Sequence, residues 1–213
     1  MIIAIAGATG LTGRLCLELL LKEPIITSVI SIGRRLTGII HPKLSEVILN
    51  ESKLSRPVVA DAFISCLGTT IEKAGSTAAF EAADLYLPSY LAKEMHDQGC
   101  IIMAAVSAAG SNPSSKFLYT RTKGRMESSL SAIGFKSLSI LRPSFIIGNR
   151  DGRRRGEQFS LLLLKTANPF LIGQLSKYRA VEANQIAQTL VNCIIRKTAD
   201  LKVYYYDDIK KDQ

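Results

Sequence analysis

No stretch of this 213-residue chain approaches the roughly 20 apolar residues that a membrane-crossing helix needs, so no membrane partner is expected. The apolar run before Gly7 has only five residues, Ile2 to Ala6, too short for the core of a secretory signal. The cytoplasm is the expected location. Cysteine is scarce: Cys16, Cys66, Cys100 and Cys193 are scattered through apolar runs with no C-x-x-C pair, and they read as reduced core residues. Histidine is scarcer still, and His41 and His96 make no metal-ligand constellation, so each reads as a surface or capping residue. Internal repeats and low-complexity linkers are missing, which excludes a repeat array and favours one compact unit.

Acidic residues are outnumbered, 18 Asp and Glu against 27 Lys and Arg, for a formal net charge of +9. A basic domain raises the question of nucleic acid. The densest cluster, Arg150-Asp151-Gly152-Arg153-Arg154-Arg155, has no interleaved aromatic residues on which bases would stack. It reads as solvated loop charge or as contact with an anionic ligand, and nucleic acid is not an expected partner. Hydrophobic residues make up 47% of the chain, enough for a substantial core.

The most informative segment present is Ile2-Ile3-Ala4-Ile5-Ala6-Gly7-Ala8-Thr9-Gly10-Leu11-Thr12-Gly13-Arg14. It joins a short apolar strand to a glycine turn and a helix start, where unpaired N–H groups and the positive dipole end suit a diphosphate. The spacing G-x-x-G-x-x-G departs from G-x-G-x-x-G, so the motif needs a βαβ context. That context follows: Leu15, Leu17, Leu19, Leu20 and Leu21 among Arg14, Glu18 and Lys22 suit an apolar-faced helix ending before Pro24, and Ile25 to Ile32 reads as a second strand. Gly7, Thr9, Gly10, Leu11, Thr12 and Gly13 are therefore candidate cofactor contacts, with tight packing around no ligand as the alternative.

Strand and helix keep alternating. Ser45 to Leu49 and Asp61 to Cys66 read as strands, and Ala78 to His96 as a helix with a break or kink near Leu87, imposed by Pro88, that Gly99 ends. Cys100 to Val106 is a buried strand, Phe117 to Ile133 a helix capped by Gly134, and Ser137 to Leu141 a strand closed by Pro143. Further on come apolar segments at Phe159 to Leu164 and Phe170 to Ile172, the breaker Asn168-Pro169, a helix Ala183 to Arg196 and a last strand Val203 to Tyr206. The expected fold is α/β, a doubly wound parallel sheet of the Rossmann kind. Residues 1–213 form one domain, in which 144–213 supply a small lid over a substrate or a subunit interface; monomer and homodimer both stay open.

In such a sheet, ligands bind beyond the carboxyl ends of the strands. After the second strand stands Gly33-Arg34-Arg35, where an acidic residue would bind a ribose 2′-hydroxyl but an arginine suits a 2′-phosphate. One charge-assisted hydrogen bond, about 1.5 to 3 kcal/mol, favours the phosphorylated cofactor by roughly ten- to 150-fold, so NADP(H) is expected. An ordinary exposed arginine pair is the alternative. Leu67, Gly68 and Thr69, in Cys66-Leu67-Gly68-Thr69-Thr70, form a second small-residue turn beside the diphosphate and ribose, where Gly68 allows close backbone approach. Ser107 follows the fifth strand, and Tyr119 and Lys123 stand four apart on one helical face. A tyrosine serves as acid or base near neutrality if its pKa falls by about 3 units, roughly 4 kcal/mol, and a lysine about 4 Å away supplies that at an effective dielectric near 20.

The glycine turn, the Ser107 and Tyr119-x-x-x-Lys123 constellation, and Leu141-Arg142-Pro143-Ser144 together resemble the atypical short-chain dehydrogenase/reductase superfamily. Cys66 to Thr70 with Ala74-Gly75-Ser76, Phe117-Leu118-Tyr119 with Lys123-Gly124, and Gly148-Asn149-Arg150 resemble its small NAD(P)-binding, oxidoreductase-like members related to the Tat-interacting protein. The resemblance covers nearly the whole chain. It implies that Tyr119 is the acid/base, that Lys123 lowers its pKa and holds the nicotinamide ribose, and that Ser107 bonds the substrate carbonyl. It further implies that Leu67, Gly68 and Thr69 line the cofactor and that Pro143 lies near the nicotinamide. Three positions depart from the pattern: Asn50-Glu51 where an acidic residue near the adenine is usual, Arg125 where Lys-Gly-Glu is usual, and Ala108-Ala109 beside the serine. Two functions are thereby expected as rivals: an NADP(H)-dependent oxidoreductase acting on a small carbonyl or alcohol, or a catalytically weak NADPH-binding regulator or scaffold.

Overall fold

Ile3 and Ile5 point to one side of their strand and Ala4 and Ala6 to the other, and the two sets enter two separate hydrophobic clusters. A strand covered on both faces has to lie inside a sheet with helices on each side. The structure is a computed structural model that describes residues 1–148, 173–197 and 199–213. Strand β1 (Ile2–Ala6) leads through helix α1 (Leu11–Lys22) to β2 (Ser28–Gly33) and β3 (Leu44–Asn50). After the two-residue β4 (Lys53–Leu54) the chain crosses to β5 (Ala62–Ser65). Short helices α2 (Ile71–Ala74) and α3 (Thr77–Glu81), a π-helical turn (Ala82–Tyr86) and α4 (Leu87–Asp97) follow, then β6 (Ile102–Val106), α5 (Leu118–Ile133), β7 (Ser137–Leu141) and β8 (Ile146–Ile147). Beyond a 3₁₀ turn at Gly173–Tyr178 come β9 (Val181–Glu182), α6 (Ala183–Arg196), β10 (Asp200–Tyr204) and α7 (Tyr206–Lys211).

The main sheet has the order β10-β7-β6-β5-β1-β2-β3-β4, and every pairing is parallel except β3 with β4. The expected doubly wound parallel sheet is what the chain forms. In register, Ile3 stands beside Val29 on one flank and Ala62 on the other. Leu17 and Leu20 of α1 and Ile186 and Leu190 of α6 cover the isoleucine face, while Leu91 and Met95 of α4 and Met126 and Leu130 of α5 cover the alanine face. Each such side chain fully buried contributes about 1.5 to 3 kcal/mol. The order reverses between β1 and β5, which opens a crevice at their carboxyl ends.

Breakers act where expected, with refinements. Gly99 and Gly134 end their helices at φ of +90° and +97°. Pro88 does not stop its helix. It has no N–H to offer the Asp84 carbonyl, and Leu87 N–H bonds back to Ala82 O, which widens one turn to a π-helix. The second strand starts at Ser28 rather than Ile25, and the last runs Asp200–Tyr204, leaving Tyr206 to open a helix. Glu51 and Ser52, both with positive φ, make a two-residue hairpin turn between β3 and β4, and Asn50 ends β3 paired with Lys53. All four cysteines are free thiols. The arginine cluster at 150–155 and the apolar segments at 159–164 and 170–172 lie outside the described residues, as do Asn149 and the 168–169 breaker.

Candidate functional site

Gly7 turns the chain out of β1 at φ +86°, and a methyl built on it would sit 2.6 Å from the Cys66 carbonyl oxygen. One on Gly13 would lie 2.1 Å from the Gly7 oxygen. These two positions are glycine because backbone presses on backbone there. Gly10 N–H donates to Gly7 O at 3.0 Å, and α1 begins from Gly10 with no capping side chain and no acidic residue in its first turn. Its dipole end is therefore left for another anion.

One cleft gathers Gly7 to Gly10, Ser31 to Arg35, Leu49, Cys66 to Gly68 and Leu87. It lies at the β1/β5 reversal, and it brings together Gly7, Thr9, Gly10, Arg34, Arg35, Leu67 and Gly68 as the sequence reading had them. Leu11, Thr12 and Gly13 form the first turn of α1 rather than cleft wall. Arg34 and Arg35 are exposed, and the loop carrying them is pinned just beyond by two bonds at Thr37. Arg14 Nη1 donates to Thr37 O at 2.8 Å, and Thr37 N–H donates to Glu46 Oε1 at 2.7 Å.

The next turn connects the cleft to a buried charge pair. Thr69 N–H donates to Asp84 Oδ2 at 2.8 Å, and Lys123 Nζ meets Asp84 Oδ1 at 2.7 Å. Asp84 and Lys123 side chains are 0% and 4% exposed. A methyl on Gly68 would lie 3.5 Å from both of their charged atoms, so the pair is next to the cleft wall. This corrects the role expected for Lys123 at rest: its ammonium is matched to Asp84 rather than free to draw down the Tyr119 phenol. Tyr119, 38% exposed and stacked on Phe80 at 5.8 Å, goes the other way. Loss of solvation and the Asp84 carboxylate push its pKa from the ordinary 10 up to about 12.

Ser107 belongs to a second network. Its Oγ donates to Glu127 Oε1 and lies 3.0 Å from Ser111 Oγ, which in turn donates to Ala108 O at 2.7 Å. Glu127 is held by Arg142, whose Nε reaches Oε1 at 3.0 Å, while Arg142 Nη1 donates to Tyr205 OH at 2.6 Å. That carboxylate and phenol hold the guanidinium pKa above its ordinary value, Glu127 foremost. A hydroxyl has one proton and a carboxylate only accepts, so Ser107 reaches a substrate carbonyl as donor only when Glu127 releases it. Pro143 is buried, and its carbonyl accepts from Ala109 N–H at 2.8 Å, tying the loop after β7 to the one after β6. Arg125 makes a surface pair with Glu81 at 3.2 Å. Helix α5 presses on the loop after β6 so closely that a methyl on Gly124 would lie 2.3 Å from the Asn112 carbonyl carbon and Pro113 nitrogen.

Sequence reasoning missed Ser31, Leu49 and Leu87 in the cleft, and Asp84, Glu127 and Ser111 behind it. A buried Asp or Glu reads as a surface charge until its partner is known; the one prior signal for Asp84 was its apolar neighbours Phe80, Leu87 and Pro88 a turn away, and Glu127 had none.

No protein-family model matches the chain. Among curated proteins it is 34% identical over 154 residues to "Protein FMP52, mitochondrial" of Candida albicans, covering 68% of this chain and 67% of that protein. It is 31% identical over 202 residues to the "Protein fmp52, mitochondrial" of Aspergillus fumigatus, covering 89% and 85%. The expected cytoplasmic location is overturned by these names, which are consistently mitochondrial. Among solved structures, MoeE5 in complex with UDP-glucose and NAD superposes with a TM-score of 0.70 at 13% identity, over 98% of this chain and 79% of that one. The human epimerase family protein SDR39U1 with NADPH gives 0.63 at 14%, over 96% and 74%. These neighbours share the fold of nicotinamide-dinucleotide proteins of the short-chain dehydrogenase and epimerase kind.

Proposed function

The chain belongs to the FMP52 family, and from that premise we propose that it is an NADP(H)-dependent oxidoreductase acting on a small carbonyl or alcohol. The observation that carries this reading is one cleft in which the glycine turn, Arg34 with Arg35, and Leu67 with Gly68 converge. The fit to a dinucleotide rests on Gly10, which lines the cleft and whose added methyl would meet only the Gly7 oxygen and otherwise stand where a diphosphate approaches the backbone, and on the uncapped start of α1. Thr9, Gly10, Leu11 and Thr12 then hold the diphosphate at the start of α1, and the arginines take the 2′-phosphate. Leu67, Gly68 and Thr69 line the ribose side, with Lys123 behind Gly68 and Pro143 toward the nicotinamide. When bound, the nicotinamide supplies or takes up hydride. Tyr119 exchanges the proton at the substrate oxygen, and Ser107 orients that oxygen once its hydroxyl is released from Glu127. The fold neighbours with NAD and with NADPH support a nicotinamide dinucleotide; the arginine pair supports the phosphorylated form. The relatives' names extend a mitochondrial setting to this chain, which imaging of the tagged full chain tests.

A screen of carbonyl compounds with NADPH oxidation as readout, run beside Tyr119→Phe, tests the reading. Turnover that vanishes in the variant while NADPH affinity stays is the expected result; no turnover with any carbonyl sinks it. A second reading, an NADPH-binding regulator with little turnover, is favoured by one observation: Lys123 and Ser107 are both engaged by buried carboxylates at rest. It predicts tight NADPH binding and a biological activity that Tyr119→Phe leaves intact.

A further inference from the structure

We propose that Asp84 is the positioning residue of this site: by binding the Lys123 ammonium and the Thr69 amide together, it keeps the proton on Tyr119 and so biases the site toward carbonyl reduction. The inference rests on the oxidoreductase reading and adds to it a residue and a direction. Three features of the geometry support it. The π-helical turn Ala82–Tyr86, forced by Pro88, carries Asp84, which is fully buried. Both carboxylate oxygens are used, Oδ1 by Lys123 at 2.7 Å and Oδ2 by Thr69 N–H at 2.8 Å. The pair touches the cleft through Gly68.

A cation matched at contact distance by a buried anion presents almost no net field to a third group, so Lys123 cannot stabilise a tyrosinate while Asp84 holds it. Among the described residues, other charges on α3 and α5 are engaged elsewhere. Glu81 of α3 pairs with Arg125 of α5, Arg121 of α5 donates to the carbonyls of Ser115 and Lys116, and the Cys66–Thr70 turn carries no formal charge. Burial raises the Tyr119 pKa most, and the Asp84 carboxylate raises it further. A carbonyl reduced to an alcohol takes up a hydride at carbon and a proton at oxygen. The hydride is that of the reduced nicotinamide cofactor, and the proton leaves Tyr119, which regains one from water. Alcohol oxidation needs the opposite, a tyrosinate at the start, which this arrangement disfavours.

The test is the titration of Tyr119, followed by ¹³Cζ tyrosine NMR and assigned by the signal lost in Tyr119→Phe, with circular dichroism reporting the folded state. In Asp84→Asn, which keeps an acceptor for Thr69, the midpoint should fall by about 1 pH unit or more, because the carboxylate charge that opposes a tyrosinate is gone. Asp84→Glu, which keeps the charge, should leave it high. A midpoint unchanged or raised in Asp84→Asn overturns the proposal. Should that variant fail to fold, the unmutated protein decides: ¹⁵N spectra should show a slowly exchanging Lys ammonium that disappears in Lys123→Met, and its absence refutes the ion pair. Neither readout needs turnover, so a failed carbonyl screen would count against the oxidoreductase reading and not against Asp84 as the partner of Lys123.

Discussion

Gly10 and Gly13 are three residues apart in one motif, yet a methyl group added to each should fail in different ways. At Gly13 the new Cβ would be 2.1 Å from the Gly7 oxygen and 2.7 Å from its carbonyl carbon, distances that no rotamer relieves because both partners are backbone. Overpacking of this kind costs about 1 to 3 kcal/mol, which in a domain of this size lowers Tm by roughly 2 to 12 °C. At Gly10 the new Cβ meets only the Gly7 oxygen, at 3.3 Å, and φ −85° with ψ 169° is open to any residue. Gly10→Ala should therefore keep Tm within about 2 °C of the parent, a cost under roughly 1 kcal/mol. Gly10 lines the cleft, however, and a methyl there stands where the diphosphate needs close backbone approach. Losing one charge-assisted hydrogen bond of about 1.5 to 3 kcal/mol weakens binding by roughly ten- to 150-fold. Differential scanning fluorimetry without cofactor, paired with an NADPH fluorescence titration, separates the two effects. A Gly10→Ala protein that binds NADPH as tightly as the parent would refute the assignment of this turn to the diphosphate.

Arg34→Ala should weaken NADPH about tenfold or more and NADH little, and equal losses measured by titration would remove the 2′-phosphate argument. Arg142→Met should cost about 3 to 5 kcal/mol in urea unfolding, because it strands the buried Glu127 carboxylate, whereas a loss below about 1 kcal/mol would mean that the Ser107 network is dispensable to the fold. Burial pushes the Cys100 thiol from its ordinary 9.0 to about 11. An acid whose pKa rises on folding holds its proton more tightly in the native state, so stability is full below pH 9.0 and drains toward about 11. Cys100→Ala should flatten the stability profile across that window in chemical unfolding, and an identical profile would contradict the burial cause.

The parts of the fold legible in sequence were those in which a residue acts on its own neighbours. Pro24, Gly99 and Gly134 end helices by local sterics, and the apolar runs around Ile3, Ile64 and Met103 become central strands because both faces are covered. The two-residue strands at Lys53, Ile146 and Val181 were not legible, since so short a run has no period to read. The site divided the same way. Glycine spacing and the position of Arg34 announced the cleft, because backbone approach and strand ends are local facts. The state of Tyr119 was not legible. A spacing of four puts Lys123 on its helical face, but the direction of a lysine is decided by whichever carboxylate the fold delivers, here one from a different helix. Ser107 was likewise found by its place after β6, while its partner Glu127 had nothing in sequence to mark it.

Gly124 allows α5 to lie directly on the Asn112–Pro113 peptide, and Thr120 O accepts from Asn112 N–H at 3.0 Å. The helix bearing Tyr119 and Lys123 and the loop bearing Ser107 and Ser111 are thus a single tile. Anyone grafting a new specificity loop after β6 would have to transplant residues 107–130 as one cassette, since a foreign loop with a bulkier path would lift the helix and take the tyrosine and the lysine with it.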